Sequence, residues 1–168
     1  MVSEKLVKAL NDQMNFEFES ANVYLATAAY CASESLDGFA NFFLVQAEEE
    51  RFHAMKFFNF INDIGHRATI SQMAEPVNDY KSVLDAFEQG LEHEKAVSKK
   101  IYDIADIALD EREHATMAFL KWFIEEQVEE EASFDAIIQK LRRIENDSNA
   151  FFMLDSEFAT RKFTPPAE

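Results

Sequence analysis

Residues that make turns are scarce in this chain, with three glycines and three prolines among 168 residues. They are too few to build the corners of a β-sheet, whereas long uninterrupted helices need almost none. Cysteine occurs once, at Cys31, which excludes a disulfide framework and a four-cysteine metal knuckle and fits a reducing compartment. Basic residues number 16 against 32 acidic ones, a net charge of −16, so nucleic acid phosphates would be repelled. Long apolar runs are also missing. The uncharged stretch from Ser20 to Ser33 is too short to span a bilayer, and Met1-Val2-Ser3-Glu4-Lys5 lacks the apolar part of a signal peptide. The expectation is a single cytoplasmic domain, residues 1–168, with no membrane and no nucleic acid partner.

What the chain does have is apolar residues at helical spacing, 48% of the total and 17 of them phenylalanine. Read in alternating steps of three and four, Phe39, Phe43, Gln46, Glu50, His53, Phe57, Phe60 and Ile64 form a seam that is polar only at its centre. Glu50 and His53, three apart, share one helix face. The pattern returns in Leu84, Phe87, Leu91, Glu94, Ser98, Ile101 and Ala105, and in Thr116, Leu120, Phe123, Gln127, Glu130, Phe134, Ile137 and Leu141. Leu6, Leu10, Gln13, Glu17, Ser20, Tyr24, Thr27 and Cys31 make a more polar version, with Glu17 in mid-helix.

These seams predict helices over about 3–32, 36–64, 81–109 and 111–144, an all-α bundle of four. Gly65 is placed to cap the second helix in a left-handed conformation. Ser82 with Asp85 resembles a capping box for the third, and Asp110-Glu111-Arg112-Glu113 puts acids at the start of the fourth. The connection from 65 to 79 is long for a bundle, yet extended chain covers about 3.3 Å per residue. It can therefore run the length of the bundle and set the third helix parallel to the second. Asn146-Asp147-Ser148 offers a cap for a short fifth helix over about 148–160, whose Phe151, Phe152, Leu154 and Phe158 suggest contact with other subunits.

Depth decides whether the inward acids meet. Glu17, Glu50, Glu94 and Glu130 lie about 20 to 28 Å along axes that rise 1.5 Å per residue, which is mid-height in every helix. A bare carboxylate is costly to bury, so a shared group of four calls for a cation. Oxygen ligands with one imidazole suit Fe(II), Mn(II) or Zn(II), and the hard-oxygen majority favours iron. Two ions about 3.5–4 Å apart can share a bridging carboxylate. On this reading Glu50 bridges, Glu17 and His53 complete one iron, and Glu94 and Glu130 hold the other. Any one of these glutamates could instead face solvent, and His53 could be a hydrogen-bonded core residue; four acids at matched depth are harder to explain that way. Tyr24 lies close enough for a redox or hydrogen-bonding role, Trp122 reads as packing, and His66, His93 and His114 fall off the seam.

Leu10-Asn11-Asp12-Gln13 with Glu17 and Tyr24, Glu49-Glu50-x-x-His53-Ala54, His93-Glu94, and Trp122-Phe123-x-x-Glu126-Gln127-Val128-Glu129-Glu130-Glu131 together resemble the bacterial non-haem ferritins over nearly the whole chain. Ligation by Glu and Glu-x-x-His is the known pattern of ferritin-like di-iron bundles, so the resemblance supplies that template. It implies a ferroxidase centre of Glu17, Glu50 and His53 at one iron and Glu50, Glu94 and Glu130 at the other, with Gln127 close by. It also implies a third iron site built from Glu49, Glu126, Glu129 and Glu130. The implied activity is oxidation of Fe(II) by O2 or H2O2, with ferric oxyhydroxide deposited inside a hollow shell of 24 subunits whose four-fold axes the fifth helix lines.

Related families are separated by particular residues. Haem-binding bacterioferritins are expected to carry Glu and His where this chain has Gln127 and Glu130, so no haem is expected. Dps-like proteins lack the fifth helix, and rubrerythrins need four cysteines. Animal ferritins line three-fold channels with acids where this chain is expected to present Met117 and Leu120, so iron is expected to enter past other acids, such as Glu48, Glu49 or Glu129 to Glu131, or through a pore in the subunit. Two other readings stay open: a di-iron oxidase or peroxide-detoxifying bundle that stores little iron, and a metal-free acidic scaffold.

Overall fold

The computed structural model describes residues 2–166. Five helices follow in order: α1 Glu4–Ser33, α2 Asp37–Asp63, α3 Val83–Asp110, α4 His114–Arg143 and α5 Ser148–Phe158, with no strand among the described residues. The architecture is the expected four-helix bundle with a short fifth helix. The three-residue turn after α1 lays α2 antiparallel to it, and α3 and α4 pair in the same way.

Caps set most boundaries. Ser3 accepts from Leu6 N, Ser82 accepts from Asp85 N while the Asp85 carboxylate accepts from Lys81 N, and Asp147 accepts from Ala150 N. At the end of α2, Gly65 takes φ +81°; its N–H donates to Asn62 O and that of His66 to Ile61 O, a Schellman cap. Helices α1 and α3 close the same way on non-glycine residues, Ser35 at φ +60° and Arg112 at φ +55°.

The third of these caps corrects the expected start of the fourth helix. Residues 111–113 complete the end of α3, and Glu113 is the residue whose carboxylate accepts from Thr116 N. Helix α4 therefore begins at His114, and its first turn holds no acid.

The crossover between α2 and α3 is tied to α1 by side-chain amides. Asn11 accepts from Thr69 N (2.6 Å) and donates to Arg67 O; Asn15 accepts from Ser71 N and donates to Thr69 O (both 2.8 Å). One turn further on, Glu19 accepts from Ala74 N. The segment thus runs parallel to α1 and delivers α3 to the far end, parallel to α2. Ser3 Oγ donating to Glu111 at 2.7 Å ties the start of α1 to the end of α3.

The core is divided in two. One cluster includes Cys31, Phe39, Phe43, Phe87, Phe134 and Leu141, the other Leu6, Leu10, Phe57, Ile61, Ile101 and Phe123. Between them lie buried Gln13, Glu17, Gln46, Glu50, His53, Glu94, Gln127 and Glu130. The α3 seam is offset at its ends: Leu84, Leu91 and Ala105 are half-buried, while Val83, Gly90, Ile104 and Ala108 are buried. A straight helix at 3.6 residues per turn drifts away from a strict 3.5 repeat. Leu120 is fully buried in its own bundle and Met117 partly so, which corrects the expectation that Leu120 lines a channel.

Helix α5 packs against α2 of its own chain through Phe151, Leu154 and Phe158, leaving Phe152 and Met153 exposed. Leu36 offers α2 no capping side chain, and Asp155 of α5 accepts from Phe39 N at 2.9 Å instead. This approach depends on Gly38, where a Cβ would stand 1.6 Å from the Asp155 carbonyl oxygen. Gly38→Ala is expected to destabilise the fold by about 1–3 kcal/mol, with a lower melting temperature and faster hydrogen exchange in α5 than in α3. Unchanged melting and exchange would show that the close approach is dispensable.

Candidate metal centre

Each of the four long helices brings a carboxylate to the level where the apolar clusters part: Glu17 from α1, Glu50 from α2, Glu94 from α3 and Glu130 from α4. His53 and Gln127 come with them, and all six are buried. The two halves of this layer are built differently.

In the first half, Glu17, Glu50 and His53 each turn a ligand atom to a common point, all within 4.8 Å of one another. His53 Nδ1 stands 3.5 Å from Glu50 Oε2 and 3.9 Å from Glu17 Oε2, too far for hydrogen bonds. Gln13 Nε2 donates to Glu17 Oε1 at 2.7 Å and fixes that carboxylate. Glu17 Oε2, both Glu50 oxygens and His53 Nδ1 have no hydrogen-bond partner. Buried polar atoms are seldom orphaned, and here one oxygen from each of the two carboxylates converges with the imidazole nitrogen. That donor set fits Fe(II), Mn(II) or Zn(II).

In the second half, the carboxylates are held by the protein. Glu94 accepts from the Tyr24 hydroxyl on one oxygen and from Gln127 Nε2 on the other at 3.1 Å. Gln127 Nε2 also lies 3.2 Å from the Glu94 carbonyl and 3.3 Å from Ser98 Oγ. Glu130 accepts from Gln46 Nε2 at 3.0 Å. A cation ligated by Glu94 and Glu130 must therefore exchange with these donors, whereas the first half is open to one.

Of the other expected site residues, Glu126 is partly exposed, with Oε1 4.0 Å from His53 Nε2. Glu49 pairs with Arg161 at 2.9 Å, and Glu129 is exposed. Tyr24 is buried against Phe43 and Phe134. Trp122 packs edge-on to His53 at 5.4 Å between ring centroids. His93 is half-buried, stacked on Phe16 and 2.7 Å from Ser20 Oγ.

Gln13, Gln46 and Ser98 lie on the seams, but the sequence assigns them no role. Arg161 was missed altogether, because nothing in its local sequence tells where the chain goes after α5.

Burial dominates the electrostatics. It raises Glu17 well above the ordinary carboxylate value, with the charge of Glu50 adding to it. It raises Glu50 similarly, with Glu94 as the next cause. Burial takes Glu94 up to about 7 and, with the Glu94 charge, Glu130 up to about 8. Burial and the neighbouring Glu94 push Tyr24 upward too, so its hydroxyl stays a neutral donor. At neutral pH the metal-free layer holds protons where a divalent cation could sit.

Residues 7–144 match the family profile described as the ferritin-like domain. The chain is 47% identical over 163 residues to a bacterial non-heme ferritin of Staphylococcus aureus strain MRSA252, covering 97% of this chain and 98% of that one. A bacterial non-heme ferritin of Staphylococcus haemolyticus is 44% identical over the same shares. An open-pore ferritin from the hyperthermophilic archaeon Archaeoglobus fulgidus superposes with a TM-score of 0.95 at 44% identity, over 96% of this chain and 99% of that one. A closed form of that ferritin engineered by site-directed mutagenesis gives 0.96 at 45% identity, over 98% and 100%.

The raised carboxyls predict how stability depends on pH. A group whose folded pKa lies above its unfolded value of about 4.3 contributes fully below that value, and the contribution is lost as pH rises through the folded pKa. For Glu94 and Glu130 the loss runs up to about 7 and about 8. Metal-free protein is therefore expected to melt at a lower temperature at pH 8.5 than at pH 5.5, and Zn(II) is expected to narrow the gap by replacing the protons. Calorimetry at the two pH values checks this; a gap of the opposite sign, or one that Zn(II) leaves intact, would refute it.

Proposed function

Because the chain belongs to the ferritin family, we propose that it oxidises Fe(II) and stores the product as ferric oxyhydroxide within a self-assembled shell. The observation that carries this reading is the convergence of unpartnered Glu17, Glu50 and His53 atoms in a buried polar layer. Iron is the substrate. One Fe(II) binds Glu17, Glu50 and His53; a second binds Glu50, Glu94 and Glu130, with Glu50 as the bridge. Gln127 lies beside Glu94 and orients it. The subunits form a shell of 24 in the cytoplasm. No described helix is long and apolar enough to cross a membrane.

Reducing O2 to H2O2, or H2O2 to water, takes two electrons, and two adjacent Fe(II) ions supply one each. O2 takes the pair with two protons and leaves as H2O2; alternatively H2O2 takes the pair with two protons and leaves as water. Hydrolysis of Fe(III) to oxyhydroxide returns protons to the medium.

The chain's own residues have three tasks. The carboxylates give up their protons as Fe(II) binds and offset its charge as it becomes Fe(III). Gln13 holds Glu17 in place. Tyr24, whose hydroxyl donates to Glu94, is the proposed source of a further electron for the oxidant. Glu49, Glu126, Glu129 and Glu130 form a third iron site. Haem has no part in this reading.

Glu50→Ala and His53→Ala are each expected to slow the fast phase of aerobic Fe(II) oxidation by at least about tenfold, with particle size unchanged by light scattering. Rates equal to the unaltered chain would refute the centre. A small oligomer that retains only two or three irons per chain would replace storage with a di-iron oxidase or peroxide-detoxifying role.

A further inference from the structure

The segment after α5 does not leave the bundle. Asn41 Nδ2 donates to both Phe158 O (2.8 Å) and Arg161 O (3.0 Å), turning the chain back along α2. Phe163 then packs on Phe52, and Pro165 and Pro166 line a cavity with Phe52, Phe60 and Trp122. Between these anchors the Arg161 guanidinium lies over the Phe42 ring at 4.3 Å and donates to Phe42 O at 3.2 Å. It also donates to Gln46 Oε1 at 2.5 Å and to Glu49 Oε2 at 2.9 Å.

Two consequences follow from the donor chemistry. A guanidinium only donates, so its bond to Gln46 fixes the oxygen end of that amide, and the amide's NH2 is left facing Glu130, 3.0 Å away. Arg161 thereby sets Gln46 as a donor to a proposed iron ligand. At the same time it places a fixed positive charge on Glu49, a proposed ligand of the third site. The end of the chain is thus linked to two of the acids that would handle iron.

We propose that Arg161 is a positioning residue and a resident cation: it holds Glu49 and, through Gln46, Glu130 in their metal-free arrangement, and a divalent ion arriving at Glu49 displaces it and loosens residues 159–166. This rests on the third site proposed above. Lysine at 161 preserves the charge, whereas glutamine removes it and keeps a polar side chain.

The test is calorimetric titration of metal-free protein with Zn(II). The unaltered chain is expected to take up Zn(II) at the central ligands in a manner abolished by Glu50→Ala, and a further, weaker ion that Glu49→Gln abolishes. Arg161→Gln is expected to tighten the Glu49-dependent ion by about five- to tenfold, discounting the charge-assisted bond for partial exposure. Arg161→Lys is expected to keep the weaker affinity. In the Glu49→Gln background the substitution at 161 has nothing left to change.

Hydrogen exchange on the unaltered chain gives a second readout that needs no substitution. Exchange at the Ala159 and Arg161 amides, whose N–H groups donate to Asp155 O and Phe158 O, is expected to rise only with the Glu49-dependent ion. Equal affinities in Arg161→Gln and the unaltered chain, or an unmoved tail, would overturn the inference and leave the centre standing. Zn(II) uptake that ignores Glu50→Ala would instead overturn the centre, and the inference with it.

Discussion

Four carboxyl groups withdrawn from water at one height of a helical bundle oppose folding more strongly than any single apolar contact favours it. Glu17, Glu50, Glu94 and Glu130 are tolerated because the helices are long enough to place an apolar cluster on each side of them. The division of the core is the structural answer to that penalty. It also buries the middle layer, so a charge placed there interacts strongly and a proton stays bound well above the ordinary carboxylate range.

The layer is not uniform, and glutamines account for the difference. Gln13 occupies one oxygen of Glu17 and leaves the rest of its half open. Gln46 and Gln127, with Tyr24, satisfy Glu130 and Glu94 almost as a structural network would. An amide can end such a bond without leaving a buried charge behind, and so neutral donors suit groups that must later exchange partners. A lysine in either place would anchor the carboxylate permanently.

The four seams were legible because helical periodicity and depth are both local arithmetic. Every member of the α1 and α4 seams is buried, and the length of the crossover implied its path. The start of α4 was misread because a run of acids resembles a first helical turn; the left-handed Arg112 and the single cap Glu113 reveal the turn only in three dimensions. Asp155 capping α2 and Arg161 reaching Gln46 were hidden for a different reason. Both depend on where the chain goes after residue 147, which no short-range pattern encodes. The amide ladder of Asn11 and Asn15 was hidden as well, because their partners are main-chain groups more than fifty residues away.

That ladder grips peptide groups and is indifferent to the side chains of the segment it holds. Along residues 67–74 all but Ala68 are exposed, while Asn11, Asn15 and Glu19 bind the main chain. Composition there is free to drift, apart from Ala68, which packs on the core, and Met73, whose sulfur accepts from Asn22. Length is not, because inserting or deleting one residue shifts the extended chain by about 3.3 Å against rungs spaced by a helical turn. The crossover is a ruler: homologues of this chain can be expected to vary in its letters while conserving its count.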